Sequence, residues 1–261
     1  MKKFSKIFLL FVVIVALFAV FCTTCTCFAT VKNDPVLLSS QYGKVLKDGV
    51  QKVELYATYH NKGLYAHDIK IVVKDKHNDK QLFEITPQED SGYFPAVLLA
   101  DFTGDGVDEI YIGIDSGGSG AFGYYYIYSL VNGSVETLFD YSTLPNNYSA
   151  QYVDNYKVAV TNSVDNVIFN IDISQRDRQY LDGLYNSNGT LIKPTSADVS
   201  AVNTVYPYFF STRNRFNILV LRRITGLYNA DSLGYVMEYM TYNGNSFETL
   251  YSTVSVNGYN K

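Results

Sequence analysis

The sequence contains no tryptophan, and its three cysteines all lie near the N-terminus, at Cys22, Cys25 and Cys27. Beyond them the chain has no thiol for nucleophilic catalysis, iron–sulfur ligation or cysteine-based zinc binding. Charged residues make up only 18% of the chain, with 21 Lys and Arg against 25 Asp and Glu. We expect no nucleic-acid partner, because nucleic-acid binding needs a concentrated basic surface.

Long hydrophobic runs are also missing, with one exception near the N-terminus. Residues Ile7–Phe21 carry no charge, glycine or proline; three lysines precede them, and small and polar residues follow. This order predicts a secretory signal peptide over residues 1–29, cut after Ala29. The chain that remains has 18 basic and 25 acidic residues, which is a net charge of −7. We therefore expect a secreted, extracellular protein.

Two alternatives to cleavage stay open at this N-terminus. Residues Ile7–Phe28 approach the length that spans a bilayer, so an uncut segment would anchor the protein in the membrane at the cell surface. A lipid-anchored cysteine is the second alternative, although none of the three cysteines follows the small residue that lipidation requires. In either case membrane contact comes only through this segment.

Residues 30–261 are predicted to form a single all-β domain. Short segments rich in β-branched and aromatic residues recur between turn signals such as Asn132-Gly133 and Asn243-Gly244. One helical turn or two is expected within 174–185. The predicted strands are 53–59, 68–74, 81–85, 96–101, 109–114, 124–130, 135–139, 157–161, 167–173, 216–223, 234–242 and 246–256.

Weak internal repeats suggest how these strands are organised. Leu99–Gly104 aligns with Leu221–Gly226, and Asp48–Leu55 aligns with Asp105–Ile112. The simplest explanation is four degenerate units of about 55–60 residues, starting near residues 44, 97, 157 and 218. Such units predict a β-propeller-like array of about four antiparallel blades. The alternative is one irregular β-sandwich in which the similarity is accidental.

An acidic loop between two predicted strands is the most informative motif. Gly104 and Gly106 allow a tightly wound backbone, and four acids within nine residues would repel one another without a cation. An EF-hand is excluded, because its twelfth position would be the apolar Ile112. We expect a calcium ion, with an ion-free acidic turn as the alternative. The candidate oxygen ligands alternate along the loop: Asp101, Thr103, Asp105, the Val107 carbonyl and Glu109.

The strand–acidic loop–strand pattern over Ala96–Ile114 resembles the calcium loop of FG-GAP or VCBS-type repeats, the blades of integrin-α-like β-propellers. The resemblance implies that Asp101, Asp105 and Glu109 are the acidic ligands. Thr103 stands where Asn or Asp is more common in these repeats. The ion that the resemblance implies is structural: it would bind the folded state and raise stability.

Two further sequence motifs have features of a ligand-binding site. Gly118–Gly123 matches Gly-x-Gly-x-x-Gly, but the β-run that follows excludes a dinucleotide site, which needs a helix there. A ligand loop at the sheet rim, helped by Asp115 and Ser116, remains an option. The tyrosine-rich strand 124–128 either stacks on a sugar or protein partner or, as we favour, packs internally.

These observations favour an exported, non-catalytic binding or adhesion module of bacterial type with one calcium-stabilised loop. Its expected ligand is a carbohydrate or a protein at the cell exterior. An extracellular polysaccharide hydrolase or lyase is an alternative, because paired carboxylates cannot be recognised from sequence spacing. A structural envelope or coat component that assembles through tyrosine-rich surfaces is a third possibility. The enzyme question therefore stays open at this stage, with a non-enzyme favoured.

Overall fold

The computed structural model describes residues 34–60, 63–210, 214–256 and 258. The predicted signal peptide, residues 1–29, lies outside the described residues. Within the described part of the chain, no helix combines the length and the apolar character needed to cross a bilayer.

Eight antiparallel strands build the first sheet. Their bounds are β1 (Val36–Gly43), β2 (Gln51–Tyr59), β3 (Tyr65–Asp75), β4 (Gln81–Ile85), β5 (Gly92–Ala100), β6 (Glu109–Asp115), β7 (Gly123–Ser129) and β8 (Glu136–Asp140). The strands are ordered β1-β2-β3-β5-β6-β7-β8, and β4 pairs with β3 beside this path. A short 3-10 helix, Tyr141–Thr143, follows the last strand.

Seven antiparallel strands build the second sheet. Their bounds are β9 (Tyr148–Val153), β10 (Lys157–Asn162), β11 (Val167–Asp172), β12 (Ser196–Phe210), β13 (Arg215–Thr225), β14 (Ser232–Tyr242) and β15 (Phe247–Val256), with one helix, α1 (Arg178–Asp182), between β11 and β12. The order is β11-β10-β9-β12-β13-β14-β15. Strand β12 joins the two halves, because only Ser196 and Ala197 pair with β9 and the rest pairs with β13.

The all-β prediction is confirmed, and α1 lies where a helical turn was expected. Three strands are additional to the predicted set: β1, β9 and β12. Strand β12 was missed because Ser, Asn and Pro interrupt its apolar pattern, and it bends through two register shifts between Val199 and Thr204. The strands predicted within the first two units lie in the first sheet and those predicted within the last two lie in the second, but β9, which falls within the second unit, belongs to the second sheet. Two sheets are consistent with the sandwich alternative; a propeller is not confirmed.

Each sheet has a core of its own. Alternate residues of β2, β3 and β6 bury one face of the first sheet, as the twofold side-chain period of a strand requires. In the second sheet, α1 covers the corresponding face with Leu181 and nearby Leu184. The fully or almost fully buried aliphatic residues of the first core include Val53, Leu55, Ile69, Ile71, Val73, Ile110, Ile112 and Ile114.

Strand β7 is buried on both faces, and a third core on its second face joins the sheets. Tyr126 and Tyr128 belong to the core of the first sheet, whereas Tyr125 and Ile127 belong to the shared core. The tyrosines of this strand therefore pack internally, as favoured above. Val205 on β12 and Ile218 on β13 enter the shared core from the second sheet.

Candidate functional site

The acidic loop connects β5 to β6, and its backbone winds around the carboxylate of Asp101. That carboxylate accepts hydrogen bonds from the amides of Gly104 at 2.5 Å and Gly106 at 3.0 Å. The two glycines have φ values of 84° and 79°, a left-handed conformation in which glycine avoids a steric cost. The two glycines of the motif thus have the conformational role that the sequence suggested.

Glu109 is the first residue of β6 and directly follows the acidic loop. Its side chain is fully buried, and its Oε2 accepts hydrogen bonds from the amides of Phe102 at 2.8 Å and Thr103 at 3.1 Å. The pKa of Glu109 is raised to about 7, chiefly by burial and also by the nearby charges of Asp105 and Asp101, while the two amide hydrogen bonds oppose the rise. A buried carboxylate of this kind needs either a proton or a cationic partner.

The structure brings three of the five predicted ligands together. The Thr103 hydroxyl lies 3.5 Å from Asp101 Oδ1 and 3.3 Å from Glu109 Oε1. Asp105 is exposed, and its Oδ1 accepts a hydrogen bond from the Val107 amide at 2.8 Å. Among the described residues, no three His, Cys, Asp or Glu side chains form a group that could hold a metal ion. Calcium binding therefore stays a prediction.

Two basic residues reach this loop, but they donate to its carbonyl oxygens. Lys44 Nζ lies 3.1 Å from the Gly106 oxygen, and Arg215 Nη1 lies 3.2 Å from the Thr103 oxygen. Asp101 and Glu109 take part in none of the ion pairs found in the described part of the chain. The negative charge at the centre of the loop is therefore not neutralised by a basic side chain there.

A cleft of about 520 Å³ lies where β5, β6 and β7 of the first sheet meet β12 of the second. Its volume falls in the range of small-molecule sites. The sequence motif predicted part of this cleft, since Asp115 and the glycine-rich loop lie on its border, but the contribution of β12 was not predicted. The lining residues are Phe94, Ala96, Tyr111, Gly113, Asp115, Gly117, Gly118, Ala121, Phe122, Tyr125, Thr204, Val205 and Tyr206.

Two small residues on neighbouring strands line the cleft, Ala96 and Gly113. Ala96 pairs with Gly113, and Gly113 pairs with Tyr125, so one cross-strand row contains two residues with almost no side chain. A β-carbon added at Gly113 would lie 2.9 Å from the Tyr111 hydroxyl oxygen and 3.2 Å from the Tyr125 ring. The Tyr111 hydroxyl and the Tyr125 ring therefore lie directly against Gly113, where a larger residue would displace them.

Exposed aromatic rings form the mouth of the cleft. Phe94 is 66% exposed and Tyr206 is 54% exposed. Phe94 has a φ of 48°, which is strained for an aromatic residue, at a register shift between Tyr93 and Ala96. The shift places an apolar ring at the rim rather than in a core, and strain of this kind is common at ligand sites.

The glycine-rich wall is fixed by hydrogen bonds to both sheets. Ser116 Oγ donates to the Phe122 oxygen at 2.8 Å, which closes the loop at its base. Asn203 Nδ2 donates to the Gly120 oxygen at 2.9 Å, which ties the loop to β12. Strand β7, and not a helix, follows the loop at Gly123, in agreement with the exclusion of a dinucleotide site.

The polar groups of the cleft are one carboxylate, Asp115, and several hydroxyl groups. Burial raises the pKa of Tyr125 to about 12 and also raises the pKa of Tyr111, so both phenols are protonated at neutral pH. The Tyr111 hydroxyl donates to the Val205 oxygen at 2.7 Å. The cleft therefore combines aromatic walls, hydrogen-bonding hydroxyls and one negative charge.

Comparison with known proteins relates most of the chain to one family. The chain is 32% identical over 225 residues to a Bacillus subtilis (strain 168) protein described as uncharacterized protein YybI, covering 85% of this chain and 86% of the relative. The chain belongs to the YybI family. A family model described as the YybI C-terminal domain matches residues 146–255. No solved structure matches.

The YybI C-terminal domain match coincides with the second sheet, since β9 begins at Tyr148 and β15 ends at Val256. The acidic loop and Asp115 precede the matched residues, whereas Thr204, Val205 and Tyr206 lie within them. The cleft is therefore built jointly by the YybI C-terminal domain and by the sheet that precedes it.

Proposed function

We propose that this YybI-family chain is an exported, non-catalytic binding module that holds a carbohydrate or protein ligand in the cleft between its sheets. The observation that carries the proposal is the cleft itself, in which exposed rings and hydroxyl groups surround one carboxylate. Aromatic rings with polar tips are typical of recognition surfaces, because they combine a large apolar area with hydrogen bonding.

A hydrolase or lyase is less well supported. Cleavage of a glycosidic bond usually needs two carboxylates about 5–10 Å apart across one cleft. Asp115 is the single acid among the described residues that line this one. The cleft chemistry therefore favours binding over bond cleavage.

We also propose a structural calcium ion at the acidic loop, held by Asp101, Thr103, Asp105, the Val107 carbonyl and Glu109. The donor set fits, because it consists of hard oxygen atoms and includes a buried carboxylate without a basic partner in the described part of the chain. The ion would supply positive charge to the loop and hold β5 and β6 together. The FG-GAP or VCBS relationship, with four blade-like units, belongs to the same proposal.

The third possibility, assembly into an envelope or coat layer, rests on a face of the second sheet that adjoins the cleft at Tyr206. Tyr206, Leu219, Tyr239 and Tyr251 pair across β12 to β15 and so share one face of the second sheet. Tyr206 and Tyr251 are more than half exposed, and the Tyr239 and Tyr251 rings stack at 4.4 Å. If this face mediates assembly, sedimentation of the purified chain will show oligomers that grow with concentration and disappear in Tyr251→Ser.

The binding proposal is tested by filling the cleft. Ala96→Phe places a ring on the exposed floor residue, and Ala230→Phe places the same ring on an exposed loop residue outside the lining. In titration calorimetry with neutral and amino oligosaccharides and short peptides, at least one probe should bind the unaltered chain and Ala230→Phe but not Ala96→Phe. Binding that survives Ala96→Phe, or no binding at millimolar protein and probe, contradicts the proposal.

Export is tested separately. N-terminal sequencing of protein from the culture medium should begin at Thr30. A cell-bound chain that begins at Met1 would support the uncut membrane anchor instead.

A further inference from the structure

The carboxylate of Asp115 lies at the end of β6, where the cleft opens. Asp115 pairs with Tyr93 on one side and Gly123 on the other, so it is fixed in the sheet up to its Cα. Tyr111, Gly113 and Asp115 alternate along β6, so the Asp115 side chain lies on the face of the strand that lines the cleft. The carboxylate of Asp115 therefore lies in the same cleft as the aromatic rings.

No hydrogen bond or ion pair to the Asp115 side chain is present among the described residues, in contrast to most acids of this chain. Glu54, Glu84, Asp182, Asp231 and Glu238 all take part in ion pairs. The basic residue that reaches the cleft wall, Arg223, directs Nη1 to the Ser119 oxygen at 3.5 Å. A carboxylate at a cleft mouth without a protein cation is available to a cation on a ligand.

The aromatic rings near Asp115 also favour a positively charged ligand. Phe94, Phe122 and Tyr206 line the cleft, and the negative face of an aromatic ring attracts an ammonium group. Asp115 itself is exposed, so the rings add to its attraction for a cation without removing the carboxylate from water.

From this arrangement we infer that the cleft binds a glycan that carries a free ammonium group, an amino sugar, with the ammonium at Asp115 and the pyranose ring against the aromatic walls. The inference rests on the proposed binding function and names its ligand class. A sugar fits better than a basic peptide, because about 520 Å³ exceeds what one ammonium group needs and hydroxyl groups of Thr204 and Tyr125 line the same space.

The test compares two probes that differ only in the substituent at the sugar nitrogen, which is either a free ammonium group or a neutral acetamide. Oligomers of glucosamine and of N-acetylglucosamine have the same rings and linkage, but only the first carries ammonium groups at pH about 6. In calorimetry with the full chain, the glucosamine oligomer should bind about tenfold more tightly than its acetylated counterpart. Added salt should reduce this difference, because it screens charge.

Two variants test whether Asp115 causes the preference for the glucosamine oligomer. Asp115→Asn keeps the size of the side chain and removes its charge, and should remove the preference for the amine while leaving the acetylated oligomer unchanged. Asp198→Asn is the matched control, since Asp198 is an exposed acid on β12 outside the cleft lining. The Asp198→Asn variant should keep the full preference for the glucosamine oligomer. A preference that persists in Asp115→Asn overturns the inference.

The remaining outcomes separate this inference from the proposed function. If both oligomers bind equally and Ala96→Phe prevents the binding of both, the cleft is a sugar site without amine recognition, and the inference alone fails. If tetralysine binds as tightly as the glucosamine oligomer, the ligand is a basic peptide and the amino-sugar assignment is wrong. If neither oligomer binds, the inference is also wrong, and the broader probe panel decides the proposed function.

Discussion

Glu109 and Asp231 lie 122 residues apart in the sequence and have corresponding positions at the start of a strand. Glu109 is the first residue of β6, and Asp231 directly precedes β14. Both are buried, and both accept hydrogen bonds from backbone amides of the preceding turn: Glu109 from Phe102 at 2.8 Å, Asp231 from Leu227 at 2.9 Å. The repeat alignment of Leu99–Gly104 with Leu221–Gly226 has the same spacing.

The two carboxylates differ in their cationic partner. Arg176 Nη1 lies 2.7 Å from Asp231 Oδ1, and the Tyr180 hydroxyl donates to Asp231 Oδ2 at 2.7 Å. No ion pair to Glu109 is found in the residues that the structure describes. One unit thus neutralises its buried acid with an arginine from the chain, while the buried acid of the other has no cationic partner among the described residues.

This contrast predicts that calcium stabilises the folded chain through the acidic loop. A ligand that binds only the folded state adds about 3 kcal/mol to the free energy of unfolding at about a hundred times its Kd. The melting temperature should therefore rise with calcium and fall with a chelator, and Asp105→Ala should abolish the response.

Asp108→Ala is the control for this prediction, because Asp108 belongs to the same loop but accepts a hydrogen bond from the Lys44 amide at 3.0 Å and is outside the proposed ligand set. It should retain the calcium response. Identical melting curves of the unaltered chain in calcium and in chelator would show that the loop is an ion-free acidic turn.

Arg176→Gln should destabilise the protein strongly, because it leaves the fully buried carboxylate of Asp231 without its cation. The expected loss is about 3 kcal/mol in the free energy of unfolding, measured in urea. Asp231→Asn in the same chain should recover part of this loss. Arg178→Gln, which breaks an exposed pair with Asp182, should cost less than about 0.5 kcal/mol; equal losses for Arg176→Gln and Arg178→Gln would contradict the argument.

The sequence indicated strand positions well where side chains alternate against a core, as in β2, and where Asn-Gly turns separate the strands. It also placed Asp101 and Glu109 in one loop correctly. It did not reveal that Arg176 neutralises Asp231, because a contact across 55 residues depends on how the strands pair. The cleft was hidden for the same reason: Ala96, Gly113 and Tyr206 become neighbours only through strand register and the packing of two sheets.

Glu54 should make stability depend on acidic pH. Burial alone would raise its pKa, but hydrogen bonds from Lys52, Lys74 and Tyr56 lower it from 4.5 to about 2. Since the folded pKa lies below the unfolded value, the stabilisation is present above pH about 4.5 and is lost as the pH falls towards 2. Glu54→Gln should lower the melting temperature at neutral pH, and the difference from the unaltered chain should shrink across this window.

Glu84→Gln provides the comparison for Glu54→Gln, because Glu84 pairs with Lys70 on the exposed surface. Surface pairs contribute little, so this variant should follow the unaltered chain at every pH. A constant offset between Glu54→Gln and the unaltered chain from neutral pH down to about 2 would show that Glu54 acts by packing and not by charge.

Tyr111→Phe should weaken the attachment of the two sheets. The Tyr111 hydroxyl donates to the Val205 oxygen at 2.7 Å, and both residues are buried in the shared core. Removing the hydroxyl leaves a buried carbonyl without this donor, which costs about 1–2 kcal/mol in the free energy of unfolding. Urea unfolding should show a lower midpoint with an unchanged slope, because the surface exposed on unfolding stays the same. Tyr228→Phe, at a 62% exposed position, should leave the midpoint unchanged, and an equal shift in both variants would mean that the hydrogen bond between the sheets does not stabilise the fold.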